Sequence, residues 1–317
     1  MTILSSRSKS CVRERDTAQW PTVDDMCRKC TKSKKDGNPM ETNCSYFNRR
    51  ANLLPHMRTS YPAFDLEDLK VEGLKIGACP YYGARELAKT ADIIFCPYNY
   101  LIDPNIRERL NINLTNNIVI VDEAHNIENI CRDVRTFEVK WDHVDKAKKE
   151  LDRMSHEATS PPYIGALKST LVNWDQWFKN HAAQASNQEF LDKWQTEHFI
   201  ESLKNHNIGP QQFAEFSEGV NSLWQRYQES PESLPNVTDV SVDLLRTIAT
   251  ALEYIFAHSS DYKPTLTFQN EIQLLKLECL NPSLAMEGIR QARCLILASG
   301  TLSPLDSFQS ELGTEFP

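Results

Sequence analysis

Two adjacent carboxylates, Asp122 and Glu123, directly follow the apolar run 118–121 and are followed by Ala124 and His125. The β-branched run predicts a buried strand that presents both acids at its carboxyl end, the edge of an open α/β sheet at which ligands bind. Consecutive acids there suit phosphoryl chemistry, because Asp122 can hold Mg²⁺ and Glu123 can orient and deprotonate a water. The alternative is a helix N-terminus, where acids are favoured without any chemistry.

Cysteine is the second residue type that could do chemistry, with nine copies in the chain. The odd number, and an N-terminus without an apolar core of signal-peptide length, disfavour a disulfide framework and favour a metal. Cys27 and Cys30 form a C-x-x-C pair, which by itself is typical of a zinc knuckle or a redox pair. The residues alone leave zinc and an iron–sulfur cluster equally open. The nine positions are 11, 27, 30, 44, 79, 96, 131, 279 and 294.

The elements that position these residues follow from hydrophobic spacing. Short apolar runs bounded by breakers predict strands buried in a parallel sheet, and three-and-four spacing predicts helices. The predicted strands are 91–96, 117–121 and 294–298, and the predicted early helices are 65–75 and 84–89. The stretch 140–260 is predicted to be mostly helical, with helices over 164–178 and 244–256 and linkers at 161–162, 209–210 and 230–236. The α/β pattern therefore brackets a helical insert.

Composition places the chain among ordinary globular proteins. Its 317 residues, 40% hydrophobic and 25% charged, suggest about two domains at ~150 residues each. Net charge −8 on average argues against nucleic acid. The first 58 residues are nevertheless basic, so the average charge of the chain conceals a positive patch. Its basic residues lie on both sides of a turn signal at 36–39. No run approaches ~18 apolar residues, and no membrane contact is expected.

The DEAH box at 122–125 and the Ser-Gly-Thr string at 299–304 resemble two motifs of the superfamily 2 helicases of the xeroderma pigmentosum group D type. Within that family, the similarity is greatest to the Fanconi anaemia group J branch, with the telomere-elongation helicases as the near alternative. The strings that carry it are ACPYY (78–82), ADIIFCPYNYL (91–101), VDEAHNIE (121–128) and SGTLSPLDSF (299–308). The resemblance covers most of the chain but is dense only over 78–135 and 279–313.

The resemblance implies an α/β fold: a partial RecA-like P-loop NTPase motor domain with a parallel sheet, an inserted iron–sulfur domain and an inserted helical arch-type domain. It also implies an ATP-dependent DNA helicase that moves 5′ to 3′ on single-stranded and forked DNA, in the nucleus, with DNA repair proteins as partners. The implied cofactors are a [4Fe–4S] cluster, ATP and Mg²⁺. The corresponding division is 1–82 cluster domain, 83–138 motor segment with the DEAH box, 139–268 helical insert and 269–317 motor return segment.

The resemblance assigns roles to the two motifs. Asp122 would bind Mg²⁺–ATP, Glu123 would activate water, and His125 would link the nucleotide state to the second motor domain. Coupling of hydrolysis to strand movement would fall to Ser299, Gly300 and Thr301. Without the resemblance, the Ser-Gly-Thr string is equally well explained as a turn that ends a strand.

In this family four cysteines hold the cluster, and by context they correspond to Cys11, Cys27, Cys44 and Cys79. Each iron of a cubane needs one terminal thiolate, so four thiols suit it. Cys30 departs from the pattern, and it is the alternative to Cys27 as a ligand, just as zinc is the alternative to the cluster. The remaining cysteines are predicted to be small buried hydrophobes; they are Cys96, Cys131, Cys279 and Cys294.

Basic and aromatic residues around these cysteines form the predicted DNA surface. Lysine and arginine neutralise phosphates without reading bases, and aromatic rings can stack on unpaired bases. The candidates are Arg28, Lys29, Arg49, Arg50, Tyr46 and Tyr82. The alternative is a solvated basic face whose aromatic residues pack the small domain. The tryptophans of the helical stretch are interpreted as core rather than as a stacking platform.

The phosphate-binding loop G-x-x-x-x-G-K-[ST] occurs nowhere in the sequence. That loop cradles the phosphates of a nucleotide in P-loop enzymes. We therefore expect this chain to be part of a helicase and inactive by itself. The alternative, from another functional class, is a non-catalytic, metal-containing DNA-binding or adaptor protein. The sequence leaves the oligomeric state undetermined.

Overall fold

The computed structural model describes residues 1–31, 42–157, 160–184, 190–230, 233–234, 236–269, 272–301 and 304–315. The chain divides into two compact units, Met1–Asn117 and Ile118–Pro317. The turn predicted at 36–39 and the positions Leu302 and Ser303 of the Ser-Gly-Thr string lie outside the described residues. Each unit is described separately below.

The first unit consists of short helices and one parallel strand pair. Its elements are β1 (Thr2–Ile3), α1 (Arg7–Ser10), α2 (Val23–Cys30), α3 (Ser45–Asn48), α4 (Leu53–Ser60), α5 (Leu66–Ile76), α6 (Pro80–Ala88), β2 (Ile94–Phe95), α7 (Asn99–Ile102) and α8 (Pro104–Leu110). Strands β1 and β2 pair in parallel. The strand predicted at 91–96 forms, with two of its residues in the ladder, but its predicted burial is wrong within the described residues, since Ile94 is 40% and Phe95 54% exposed.

Helix α5 shows how local sequence positions a candidate site residue. Asp65 caps its N-terminus in a reciprocal capping box with Asp68, which satisfies two otherwise unpaired backbone donors. Gly77 ends the helix at φ 69°, a left-handed conformation that favours glycine. A Cβ on Gly73 would lie 2.6 Å from the Pro80 side chain, so a glycine is needed for the segment carrying Cys79 to pack on α5.

The second unit combines two sheets with a set of longer helices. Its elements are β3 (Ile118–Val121), α9 (Ile127–Arg135), β4 (Phe137–Lys140), α10 (Trp141–Ser155), α11 (Ile164–Gln184), β5 (Phe190–Lys193), α12 (Thr196–Lys204), α13 (Pro210–Glu229), α14 (Asp239–Ala257), β6 (Tyr262–Gln269), β7 (Ile272–Cys279), α15 (Ser283–Met286), β8 (Cys294–Leu297) and α16 (Leu305–Leu312). The predicted helical stretch is confirmed by α10 to α14, and the predicted mixed α/β class by these elements together with the parallel pairs.

Strands β3 and β8 pair in parallel with Ile118 opposite Cys294. Val119 and Val121 are buried, whereas Ile118 is 61% and Ile120 65% exposed. The prediction that this strand is buried on both faces is therefore wrong within the described residues. Side chains alternate between the faces of a strand, and the chain covers only the face that carries the two valines.

The four cysteines predicted to be buried divide in the same way. Cys131 and Cys279 are buried, and Cys96 is half-buried. Cys294 is exposed, so the prediction is wrong for this residue. As the partner of Ile118 in a parallel ladder, it lies on the same uncovered face of the sheet.

A four-stranded antiparallel sheet in the order β4-β7-β6-β5 was not predicted. Its strongest sequence signal is in β7, where Leu275, Leu277 and Cys279 are buried and alternate with polar residues. The sheet packs with the helices around a core that includes the buried Trp174 and Trp177, which confirms their interpretation as core residues. In the part of the chain that the structure describes, no helix is both long and apolar enough to span a bilayer.

Candidate active site and cysteine cavity

The two predicted motifs meet at one edge of the β3–β8 pair, because parallel strands have their carboxyl ends at the same edge. Main-chain hydrogen bonds hold the two ends together beyond the strands. The Ala298 N–H donates to the Val121 carbonyl at 2.9 Å, and the Ala124 N–H donates to the Ala298 carbonyl at 3.0 Å. The backbone therefore fixes the DEAH segment against the Ser-Gly-Thr segment.

The side chains of Glu123, His125 and Ser299 converge at this edge. His125 Nδ1 lies 3.0 Å from Ser299 Oγ and 3.2 Å from Glu123 Oε2, and the Ser299 hydroxyl donates to Glu123 Oε2 at 3.4 Å. The Asn126 amide lies 2.8 Å from His125 Nε2. An amide N–H donated to Nε2 leaves the imidazole proton on Nδ1, directed at the serine and the carboxylate.

Glu123 adopts a left-handed backbone conformation with φ 51°. This region costs a non-glycine residue about 1 kcal/mol. The Glu123 N–H donates to Asp122 Oδ1 at 3.0 Å, which ties the two carboxylates to one turn. Asp122, Glu123 and His125 are all exposed, so both acids can reach a hydrated cation or a water.

The Ser-Gly-Thr segment is held less tightly. The Thr301 N–H donates to Ser299 Oγ at 3.4 Å, which orients the serine. Among the described residues, none lies within 4 Å of a Cβ placed on Gly300. Packing against the described residues therefore does not require glycine at 300, in contrast to Gly73.

Five cysteines line one cavity of the first unit, with an empty volume of about 350 Å³ that includes open solvent at its mouth. Cys11 follows α1, Cys27 and Cys30 lie in α2, and Cys44 and Cys79 immediately precede α3 and α6. The Cys79 N–H donates to the Tyr46 carbonyl at 2.9 Å, which brings two of these distant segments together. All nine cysteines of the chain are free thiols.

Burial shifts the thiols of this cavity. It raises the pKa of Cys79 to about 12 and also raises the pKa of Cys11 and of Cys27. Neighbouring thiolates add to each rise: Cys44, Cys27 and Cys11 act on Cys79, Cys11 and Cys44 act on Cys27, and Cys44 and Cys30 act on Cys11. The thiols of Cys11, Cys27, Cys44 and Cys79 thus form one electrostatically linked group.

Arg7 is a residue of this region that the sequence reasoning missed. It donates to Asp24 at 2.7 Å, and its guanidinium carbon lies 4.8 Å from the Tyr81 ring centroid. Burial works against its charge, but Tyr81, Tyr82 and Asp24 outweigh burial and raise its pKa. Its charge opposes the rise that burial causes in the pKa of Cys27. Only its position four residues before Cys11 could have drawn attention to it.

The predicted DNA surface separates into exposed cations and packed aromatic rings. Arg28, Lys29 and Arg49 are exposed, whereas Arg50 stacks over Phe47 at 4.1 Å and donates to its carbonyl. Tyr46 and Tyr82 both line the cysteine cavity, and the Tyr82 ring contacts Phe47 edge-on at 4.6 Å. The cations therefore face solvent, while the rings of Tyr82 and Phe47 pack within the unit.

Comparison with known proteins bears on what this arrangement is for. Residues 1–144 match the family model DEAD_2. The expected resemblance to superfamily 2 helicases of the xeroderma pigmentosum group D type is confirmed, because curated relatives named as helicases are similar over the whole chain.

The curated relatives match at low identity but over the full length of the chain. The chain is 29% identical to a Fanconi anemia group J protein homolog from Gallus gallus, covering 100% of this chain and 29% of that protein. It is 30% identical to a regulator of telomere elongation helicase 1 homolog from Oryza sativa subsp. japonica, covering 100% and 34%. A solved structure titled XPD_Helicase overlaps 99% of this chain and 47% of its own with TM-score 0.43 and 15% identity. The chain thus spans about a third of the length of these curated relatives.

Proposed function

We propose that this chain belongs to an ATP-dependent DNA helicase of the iron–sulfur superfamily 2 type, moving 5′ to 3′ and acting in DNA repair in the nucleus. The observation that carries the proposal is the contact of His125 with Ser299 and Glu123 at the shared strand edge. This contact links Glu123, the proposed base for water, directly to the Ser-Gly-Thr segment. The names of the curated relatives support the same activity.

In the proposed reaction, Asp122 would hold Mg²⁺–ATP, and Glu123 would orient and deprotonate the attacking water. His125 passes a change at Glu123 to Ser299, and the backbone of Gly300 and Thr301 moves with it. The sequence contains no Gly-Lys-Ser/Thr loop to cradle phosphates. We therefore expect the 317-residue chain by itself not to hydrolyse ATP.

The cysteine cavity fits a [4Fe–4S] cluster held by Cys11, Cys27, Cys44 and Cys79. A single zinc ion, which needs its sulfur ligands about 2.3 Å from one point, is the alternative occupant of the cavity. A cubane instead takes one thiolate at each of four irons, which suits thiols spread around a cavity. When bound, it would cross-link the segments that carry the four ligands.

The choice of Cys27 rather than Cys30 as the resident ligand rests on its surroundings. Cys27 acts on the ionisation of Cys79, and Cys11 and Cys44 act on both. Cys30 is linked in this way to Cys11.

Single-stranded and forked DNA would bind the exposed basic residues around the cysteine cavity of the first unit. Its phosphates would contact Arg28, Lys29 and Arg49, with Arg50, Tyr46 and Tyr82 beside them.

The proposed domain division is a cluster domain at 1–82, motor segments at 83–138 and 269–317, and a helical insert at 139–268.

The decisive experiment replaces Glu123 by glutamine in the full-length protein. A general base contributes about 100-fold or more, so ATP turnover in the presence of single-stranded DNA should fall by at least that factor, while ATP binding is retained. Glu138→Gln, at an exposed carboxylate of β4, is the matched control and should turn over ATP normally. Retained turnover in Glu123→Gln would refute the assignment of this residue.

The alternative function, a non-catalytic metal-containing DNA-binding or adaptor protein, is favoured by the missing phosphate-binding loop. It predicts that the chain binds single-stranded DNA in a fluorescence anisotropy titration and that the full-length protein shows no DNA-stimulated ATP hydrolysis. ATP-dependent unwinding by the full-length protein would exclude it.

A further inference from the structure

Cys30 is a fifth thiol in a cavity whose proposed cluster needs four. It lies one helical turn after Cys27 in α2, and residues at this spacing have Cβ atoms about 5–6 Å apart on one helix face. Both side chains line the cysteine cavity. The cluster ligation proposed above leaves Cys30 without a role.

The surroundings of Cys30 place it inside the site rather than beside it. Its side chain is 7% exposed and packs in a small core with Met26 and Cys44. It lines the same cavity as Cys11 and Cys44, so it lies among the proposed ligands. Cys27, in contrast, is half-buried, and an oxidant from solvent reaches it more readily.

Helix α2 can present either cysteine to the cavity. The Thr22 hydroxyl caps its N-terminus by accepting the Asp25 N–H at 3.0 Å, and Asp24 in its first turn pairs with Arg7. Cys27 and Cys30 therefore sit on a helix that is anchored at its beginning, and both lie in its second half. Because both line the cavity, exchanging one sulfur for the other changes only this part of α2, while the other three ligands belong to other segments.

We propose that Cys30 is a reserve ligand, which takes the place of Cys27 at the same iron when the Cys27 thiolate dissociates from it. The inference rests on the proposed cluster. In the exchange the bond between iron and Cys27 Sγ breaks and a bond between iron and Cys30 Sγ forms. The proton of the Cys30 thiol passes to the departing Cys27 thiolate, and no electron is transferred. Two cysteines one turn apart thus make one coordination position tolerant of damage.

The test compares alanine variants of the full chain after anaerobic purification, because alanine, unlike serine, offers no oxygen ligand. Iron and sulfide content, visible absorbance and the electron paramagnetic resonance spectrum of the reduced protein are measured for each. Wild type should hold about four irons. Cys27→Ala should keep more than half of that iron with an altered resonance spectrum, and Cys30→Ala should match wild type.

Two further variants decide the result. Cys27→Ala/Cys30→Ala and Cys44→Ala should each lose most of the iron, since no spare thiol replaces the missing ligand. The proposal is overturned if Cys27→Ala loses as much iron as Cys44→Ala, or if the double variant keeps as much as Cys27→Ala. Loss of iron in Cys30→Ala alone would also overturn it, because Cys30 would then be the resident ligand. A wild-type chain without iron would instead refute the proposed cluster, and far-ultraviolet circular dichroism separates loss of ligand from loss of fold.

Discussion

The contact between His125 and Ser299 allows the proposed coupling to be tested separately from folding. Ser299→Ala removes the hydroxyl that lies 3.0 Å from His125 Nδ1 and 3.4 Å from Glu123 Oε2. The net contribution of one hydrogen bond to stability is about 0.5–1.5 kcal/mol. Because these side chains are exposed, the free energy of unfolding of the second unit should fall by about 1 kcal/mol in all. For a unit of about 200 residues, that corresponds to a fall of about 2–4 °C in Tm.

The effect on catalysis should be larger than the effect on stability. Without the serine, Glu123 keeps its contact with His125 but loses the hydrogen bond from Ser299, and small misplacements of a catalytic group can cost up to about 100-fold in rate. We expect DNA-stimulated ATP turnover of the full-length protein to fall about 10- to 100-fold with ATP affinity unchanged. Ser307→Ala makes the same chemical change at an exposed serine of α16 and should leave turnover unaltered.

A double-mutant cycle with His125→Ala decides whether the contact itself matters. Residues that act through one contact give non-additive effects, here expected to be at least about 1 kcal/mol in activation free energy, or about 5-fold in turnover. The assay is steady-state ATP hydrolysis of wild type, the two single variants and the double variant. Additive effects would refute the reasoning, because they would show that the two side chains act independently.

Two other perturbations have defined outcomes. Burial opposes ionisation of Asp175, but hydrogen bonds from Lys148, Lys179 and Trp141 outweigh it and lower the pKa of Asp175. Its contribution to stability is therefore present above the ordinary carboxyl pKa and is lost as the pH falls through the lowered value. Asp175→Asn should lower the free energy of unfolding by about 2 kcal/mol at pH 7 and by less in acid, as measured by urea unfolding followed by tryptophan fluorescence. An equal loss at both pH values would contradict this reasoning. Gly300→Ala should leave Tm unchanged, because among the described residues none lies within 4 Å of the added Cβ. Gly73→Ala should lower Tm by several degrees, because its Cβ would press on the ring of Pro80. A loss of ATP turnover in Gly300→Ala would then report coupling rather than folding.

Local patterns in the sequence were sufficient for much of the fold. The capping residue Asp65 and the terminating Gly77 bound α5, because capping depends on neighbours within one turn. The β-branched run before Asp122 forms β3, and the tryptophans at helical spacing form a core. The antiparallel sheet was missed, although β7 alternates clearly, because the helical periodicity around it dominated the interpretation.

The burial of a side chain and the identity of its partners, by contrast, depend on residues far away in the sequence. The run at 118–121 has the same apolar composition at all positions, yet only Val119 and Val121 are buried. Which face of a strand is covered depends on what packs there, and alternation alone does not specify it. Arg7 escaped notice for the same reason, since its partners Asp24 and Tyr81 lie in other helices.

The sequence by itself determined which residue types stand at the ends of elements: the acids after β3, the serine after β8, and Cys44 and Cys79 before their helices. Tertiary structure decided their partners. Parallel pairing brings His125 to Ser299 across 174 residues, because it places both strand ends at one edge. Folding of five separate cysteine positions around one cavity gave Cys30 a place among the thiols, since a shared cavity is a property of packing that no spacing along the chain encodes.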